Sequence, residues 1–330
     1  MPRHRARILQ IRKRKPSVRQ RRRKRRRTEF IMHQRAGLGI ACALGAAAMY
    51  GLIPNFVRGA YINGIPPVES VFFRTAVLAA AFAVLAVAQN QSFGIPRDAL
   101  GSFVAQIVAT LLVSLGYLAS VQFIPVGLAV ILFFLFPVII MLGSPLIEGR
   151  SPGVVKILIA LFAFAGLAVA IGPRFDDFDL RGIALASAGS LGAALQFFSG
   201  RAISRHLTPS VFGFHVHVAV LPIVLAVALF VGGGHLQSMP GGAGNGSGLL
   251  FMLGLGCIYV VAYLVQMLSL RYAPASTVAP FYNLEPVVTT GLAAAILGER
   301  LQTNQYIGGA MVLAALVISS LIDTRRTAPE

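Results

Sequence analysis

Tryptophan is absent from this chain and cysteine occurs only twice. Any aromatic belt at a membrane–water boundary must therefore rest on Tyr and Phe. Cys42 and Cys257 both fall inside apolar runs. They form neither a disulfide framework nor a metal-spaced set with histidine, and read as two buried thiols. Charge is scarce as well: Asp, Glu, Lys and Arg make up 12% of the 330 residues, against about 25% in a soluble domain. A water-soluble globular fold is excluded. Hydrophobic residues fill the space, at 56% of the chain with a mean hydropathy of +0.75, and the protein is integral to a membrane.

The net charge of +18 misleads, because residues 1–35 hold 16 of the 29 Lys and Arg and a single acid, Glu29. Residues 36–330 carry 13 basic and 10 acidic side chains, a net of +3. The tail repels itself and is expected to be disordered. No aromatic or folded reader accompanies it, which argues against nucleic acid as a partner. Two readings stay open: a polybasic segment on anionic lipid headgroups, or an upstream extension of the reading frame with Met32 as the start. Either places the N-terminus in the cytoplasm.

From residue 36 the apolar runs recur with short breaks. Spans are expected near 36–57, 68–88, 99–121, 125–146, 153–172, 182–202, 209–231, 248–270, 274–297 and 303–322, each long enough to cross about 30 Å of hydrocarbon. With the N-terminus inside, the cytoplasmic side is assigned Arg97, Arg150, Lys156, Arg201, Arg205, Arg300, Arg325 and Arg326. The outer side is assigned Arg58, Arg174, Arg181 and Arg271. Eight against four puts both termini in the cytoplasm. The Gly-rich run 232–248 reads as a flexible linker, and Asp176, Asp177 and Asp179 as a solvated turn. No cofactor or metal is implied.

The chain also repeats itself. A shift of 149 superimposes Ser120 on Ser269, Pro125 on Pro274, Leu135 on Leu284 and Pro137-Val138 on Pro286-Val287. A shift of 140 superimposes VLAVA at 84–88 on 224–228, and one of 147 superimposes LGAA at 44–47 on 191–194. The unit is five spans, an odd number, so the second copy enters from the opposite side of the membrane. The expected fold is all-α: ten transmembrane helices as two inverted five-helix repeats. Its parts are a tail at 1–35, a first repeat at 36–172, an outer linker at 173–181, a second repeat at 182–322 and a cytoplasmic tail at 323–330.

Polar residues follow the repeat. Tyr259, Tyr263 and Gln266 stand at i, i+4 and i+7 on one helical face, and Thr110, Ser114 and Tyr117 are their counterparts. Two such stripes facing a shared interior make a cavity; ordinary interhelical hydrogen bonding is the competing reading. Near the middle of the ninth span lies Glu285, preceded by Tyr282 and Asn283 and followed by Pro286. A charge there costs roughly 3 kcal/mol on insertion scales. Proline frees a carbonyl one turn earlier. A chain that accepts both is lining a pathway. Arg74 lies about 9 Å into the second span by helical rise, set either to bind a carboxylate or to pair with Glu69. His215 and His217 point to different faces and read as packing residues.

Three stretches together resemble the drug/metabolite transporter superfamily in its EamA-type ten-helix branch: FIPVGLAVILFFLFPVIIMLGSPLIEGR at 123–150, YAPASTVAPFYNLEPVVTTGLAAAILGER at 272–300, and the opening helices with Pro54-Asn55 and Arg74. The likeness covers about 36–322. Two departures are Glu148-Gly-Arg150 against the later Gly-Glu-Arg, and the basic tail. The resemblance implies a bacterial inner-membrane secondary transporter working by alternating access, often exporting amino acids or other small metabolites, with helices 1, 3, 4, 6, 8 and 9 around the cavity. It nominates Tyr50, Asn55, Ser114, Tyr117, Gln196, Tyr259, Tyr263, Gln266, Tyr282, Asn283 and Glu285 for substrate binding and translocation, beside Arg74. Glu285 suits a proton carrier or a partner for a substrate ammonium. Proton coupling, an uncoupled facilitator and a homodimer all stay open. A membrane enzyme on lipid or isoprenoid substrates is a separate class, weakened by the lack of a nucleophile–base set or paired carboxylates.

Overall fold

The computed structural model describes residues 18–149, 151–172, 179–236, 238, 246–297 and 300–325. Among these, nine helices are long and apolar enough to cross a membrane. The first is the end of α1 (Val18–Ile62). The others are α2 (Pro67–Ala88), α3 (Arg97–Ser120), α4 (Val126–Ile147), α5 (Val154–Ile171), α6 (Leu180–Ile203), α7 (Pro209–Val231), α8 (Gly246–Tyr272) and α10, whose full helix is Thr303–Arg325. The expected ninth span is present in pieces. An α-turn, Ala275–Val278, tightens to a 3-10 segment, Ala279–Asn283, before the helix α9 (Leu284–Leu297) begins.

Residues 18–35 differ from expectation, because α1 runs back to Val18 as continuous helix. Arg and Lys are good helix formers, and extending an existing helix needs no new nucleus. The disorder expected for residues 1–17 lies outside the described residues. Cys42 is half-buried and Cys257 exposed, not both buried. An apolar residue on a membrane protein is as well placed against lipid as against protein, so hydrophobicity did not separate the two faces.

The helices pair as a two-fold requires. Along α1 and α8, Tyr50 meets Gln266 and Phe56 meets Phe251; along α3 and α6, Gln106 meets Ser199 and Thr110 meets Gln196. Each pair is antiparallel, and each is the image of the other under the five-span repeat. The pairs on the axis are α2 with α7 (Phe82 on His217, Gln89 on Ser210) and α5 with α10 (Gly166 against Met311, Asn304 on Val169). A helix that packs antiparallel against its own counterpart is direct evidence that the second copy is inverted. The breaks agree: α4 is interrupted at Phe134–Leu135, between Val126–Phe133 and Phe136–Ile147, and Leu135 is the counterpart of Leu284.

Two arginines lie at the opposite end from the one assigned to them. Arg201 donates to the carbonyls of Leu270 and Arg271, the latter at 2.8 Å, so Arg271 lies at the Arg201 end. Arg300 shares a crevice with Asn55 and Arg58 and so lies at the Arg58 end. Counting ten alternating spans gives this arrangement; the exchange leaves the eight-to-four bias as it was.

At the Arg201 end, Glu148 explains one departure in the repeat. Its carboxylate accepts from the main-chain N–H groups of Ala275 (2.8 Å) and Ser276 (3.3 Å) and from Ser276 Oγ (2.7 Å). It thereby ties α4 of the first repeat to the turn that leads into α9. Orphan N–H groups at a helix start favour an anion. Glu148→Ala is expected to cost about 1 kcal/mol, read as a lower thermal midpoint in detergent, with Glu148→Gln in between. At the other end Asp179 caps α6 through Arg181 N (2.8 Å). The Arg181 side chain and main-chain N–H hold its carboxyl below the usual range.

Candidate functional site

The interrupted ninth span places the acid. Prolines 274, 280 and 286 stand six apart, and the chain meets them by breaking its helix before Glu285. Pro286 then falls in the first turn of α9, where a missing N–H costs nothing. Glu285 shares that first turn, where the helix dipole favours a carboxylate. Its side chain is half-buried and, among the described residues, takes no hydrogen bond and no ion pair. Thr289, one turn on, has its Oγ1 2.9 Å from Gly51 O and 3.0 Å from Glu285 O, which pins α9 to α1.

Glu285 opens into a cavity of about 140 Å³ in the middle of the bundle. That is room for several waters and well below the roughly 300 Å³ at which drug-sized sites begin, so the occupant is small. Arg74 also lines it. Its Nη1 donates to Tyr259 Oη at 2.6 Å and its Nη2 to Ser114 Oγ at 2.9 Å, and the guanidinium lies 4.4 Å from the centre of the Tyr259 ring. No ion pair joins it to Glu69, which instead accepts from Ser238 N at 2.9 Å and from the Ser238 hydroxyl. Among the described residues the cavity thus holds one arginine and one glutamate side chain that do not pair with each other.

Polar and aromatic groups complete the wall. Tyr50 Oη donates to Gln266 Oε1 at 2.6 Å, and Gln196 Nε2 to Thr110 Oγ1 at 3.0 Å. The rings of Tyr50, Tyr259 and Tyr282 stand 5.8 and 6.3 Å apart about Tyr50, and Phe197 meets Tyr282 edge-on at 4.9 Å. The buried hydroxyls of Tyr263 and Tyr282 meet hydrogen-bond geometry with nothing, Gln106 and Ser269 being their neighbours. A polar ligand would relieve both.

The lining obeys the internal symmetry. Thr110 and Tyr259, Ser114 and Tyr263, Phe133 and Tyr282, and Phe136 and Glu285 are each 149 apart, and Tyr50 and Phe197 are 147 apart; all ten line the cavity. The site therefore sits on the pseudo-two-fold axis. Three of the nominated residues lie off it. Tyr117 packs on Phe133 at 5.0 Å, because the π-helical turn Leu112–Gly116 inserts a residue and rotates the rest of α3 off the stripe. Asn55 lies at the Arg58 end, its Nδ2 3.5 Å from Thr289 O. Asn283 is buried with Nδ2 on Pro280 O at 3.2 Å and with Oδ1 unpartnered.

The axis pair α2 and α7 contributes Thr75, Leu78 and His217 besides Arg74. The set of six helices implied by resemblance omits both. His217 Nδ1 lies 2.7 Å from Gly213 O, so it donates there and its Nε2 carries the free lone pair. No periodic stripe marks these residues, and only their place on the axis could have found them. The helices that contribute nothing to the cavity, α5 and α10, pack on each other outside it.

No curated protein matches the sequence. A solved crystal structure, described only as that of a protein, superposes with a TM-score of 0.75 over 87% of this chain and 98% of its own, at 15% identity. That likeness speaks for the fold alone. The profile of the EamA-like transporter family matches twice, at residues 37–172 and 180–321, one match for each repeat. With a ten-span inverted fold and a cavity on its axis, the chain belongs to the EamA-like transporters of the drug/metabolite transporter superfamily.

Proposed function

We propose that this transporter exports small zwitterionic metabolites, amino acids or similar, by alternating access. It would sit in a bacterial inner membrane with both termini in the cytoplasm. One observation carries the reading: Arg74 and Glu285 line a single small cavity without pairing with each other. Separated charges of opposite sign at bilayer depth are costly, and a solute bearing a carboxylate and an ammonium offsets both. Arg74 presents the guanidinium fork that suits carboxylate. Glu285 suits the ammonium, with the tyrosine rings adding cation–π attraction. A proton on Glu285 would replace the ammonium on the return stroke, which couples transport to the proton gradient.

The test uses purified protein in proteoliposomes and three solutes: a neutral amino acid, its N-acetyl derivative and its decarboxylated amine. Only the first is expected to move. Transport of all three alike would overturn the zwitterion reading. Arg74→Lys is expected to raise KM for the amino acid roughly ten- to hundredfold, since hydrogen bonds to a charged group are worth about 1.5–3 kcal/mol. Movement of the amino acid at the same rate with and without a proton gradient would favour an uncoupled facilitator.

A further inference from the structure

Two spaces lie one above the other along the seam between α1 and α9. Tyr50 of α1 and Glu285 of α9 line the central cavity. One helical turn toward the Arg58 end stand Pro54 and Thr289, and one turn further stand Arg58 and Ala293. These last four border a second space, of about 590 Å³, at that end. Steps of four and eight residues keep each column on one face of its helix, and a turn rises only about 5.4 Å. The seam therefore runs from the cavity to the wider space with a single turn between them.

That turn is filled by a contact between main chains. A Cβ at Gly51 would stand 2.8 Å from Glu285 O and 2.7 Å from Val288 Cβ. Thr289 Oγ1 lies 2.9 Å from Gly51 O, and Asn55 Nδ2 lies 3.5 Å from Thr289 O. Both helices carry a joint at this depth. Pro54 lies inside α1, where it deprives Tyr50 O of its N–H partner. In the ninth span, α9 starts only after the 3-10 segment Ala279–Asn283.

The opposite end is built differently. The counterparts of Thr289, Thr290 and Ala293 are Ile140, Met141 and Ser144, each at most 1% exposed. The counterpart of Gly51 is Phe198, a buried ring, and α6 has no proline to match Pro54. Glu148 also clasps the turn into the ninth span there. Along this seam, then, one end is packed with side chains, while the other is shut by bare backbone and a hydroxyl.

We infer that the contact of Gly51 with Thr289 is a gate. The ends of α1 and α9 nearer Arg58, hinged at Pro54 and at the 3-10 segment, part there and join the cavity to the space beyond. The inference rests on the proposed reading for the role of the cavity alone, and holds for any small solute.

The test reads the gate without a solute. Ala193, which lines the cavity from α6, is replaced by cysteine in a chain whose Cys42 and Cys257 are alanine. The full chain in neutral detergent is then labelled with 2-aminoethyl methanethiosulfonate. Thr289→Val removes the hydroxyl and keeps the shape; it is expected to speed labelling roughly three- to tenfold, the equivalent of one hydrogen bond. Gly51→Ala wedges the main chains apart and should speed it at least as much. Gly45→Ala makes the same change on the same helix, where a Cβ meets nothing nearer than 3.8 Å, and should leave the rate as it was. Equal rates in Thr289→Val and its parent, or in Gly51→Ala and Gly45→Ala, overturn the gate. In proteoliposomes a disulfide joining Asn55→Cys to Thr289→Cys should stop transport until it is reduced, and transport undiminished by the closed disulfide overturns the gate as well. Faster labelling in a chain that moves no zwitterion supports the gate and counts against the solute reading alone.

Discussion

Replacing Glu285 by glutamine is expected to abolish accumulation driven by a proton gradient while leaving the protein folded. The two halves of that outcome come from the same observation. The carboxylate has no hydrogen-bond or ion-pair partner among the described residues, so no protein group is orphaned by the change. A neutral amide of the same shape also removes the expense of a charge held at bilayer depth. The thermal midpoint in detergent should therefore stay level or rise. Transport should fall at least about 30-fold, because truncating one partner of a desolvated charge pair costs about 2–5 kcal/mol, and here the partner is the solute. Two assays on the same proteoliposomes separate the roles. If Glu285 carries only the proton, gradient-driven uptake disappears while exchange of internal for external solute continues. If it also holds the ammonium, exchange is lost too. Unchanged accumulation in the glutamine variant would remove the carboxylate from both roles.

How much the sequence made legible depends on how each feature is encoded. Span positions rest on runs of twenty apolar residues, and expectation and structure agree within a few residues at nearly every end; the N-terminal end of α1 is the exception. The inverted repeat was readable because prolines and polar residues, not alanines, fell into register: Pro137 on Pro286, Ser114 on Tyr263. Tyr117 was not readable off the stripe, because a π-helical turn leaves no mark in residue spacing. Pro286 announced a freed carbonyl near Glu285, within a span expected to run unbroken over 274–297. That Pro286 opens a helix instead of kinking one depends on where the 3-10 segment ends. Phe133, Phe136 and Phe197 belong to the cavity wall, yet as phenylalanines among apolar neighbours they look like every lipid-facing or core position. His217 and Thr75 were hidden differently: they sit on the axis, where two counterpart helices touch, and this appears only once the repeats are folded together.

The second large effect falls on that folding together, at the crossing of α5 and α10. A Cβ at Gly308 would land on Gly166 O and Ala170 N; a Cβ at Gly166 would stand 2.7 Å from Met311 Cβ and 2.9 Å from Gly308 O. These are mostly main-chain atoms, which cannot swing aside as the end of a long side chain can. In a membrane the association of two helices rests on such close packing, since lipid is as apolar as the helices themselves. Gly308→Val is therefore expected to cost about 3 kcal/mol, the upper end for overpacking a tight contact. It should appear as a lower thermal midpoint and loss of the monodisperse peak in detergent. The next residue supplies the control, because a Cβ at Gly309 meets nothing within 4 Å. Gly309→Val makes the same change in helix propensity, about a few tenths of a kcal/mol, on the same helix at the same depth. If the two variants unfold alike, the contact between the repeats at this crossing is not what holds them, and the antiparallel pairing on the axis loses its energetic role.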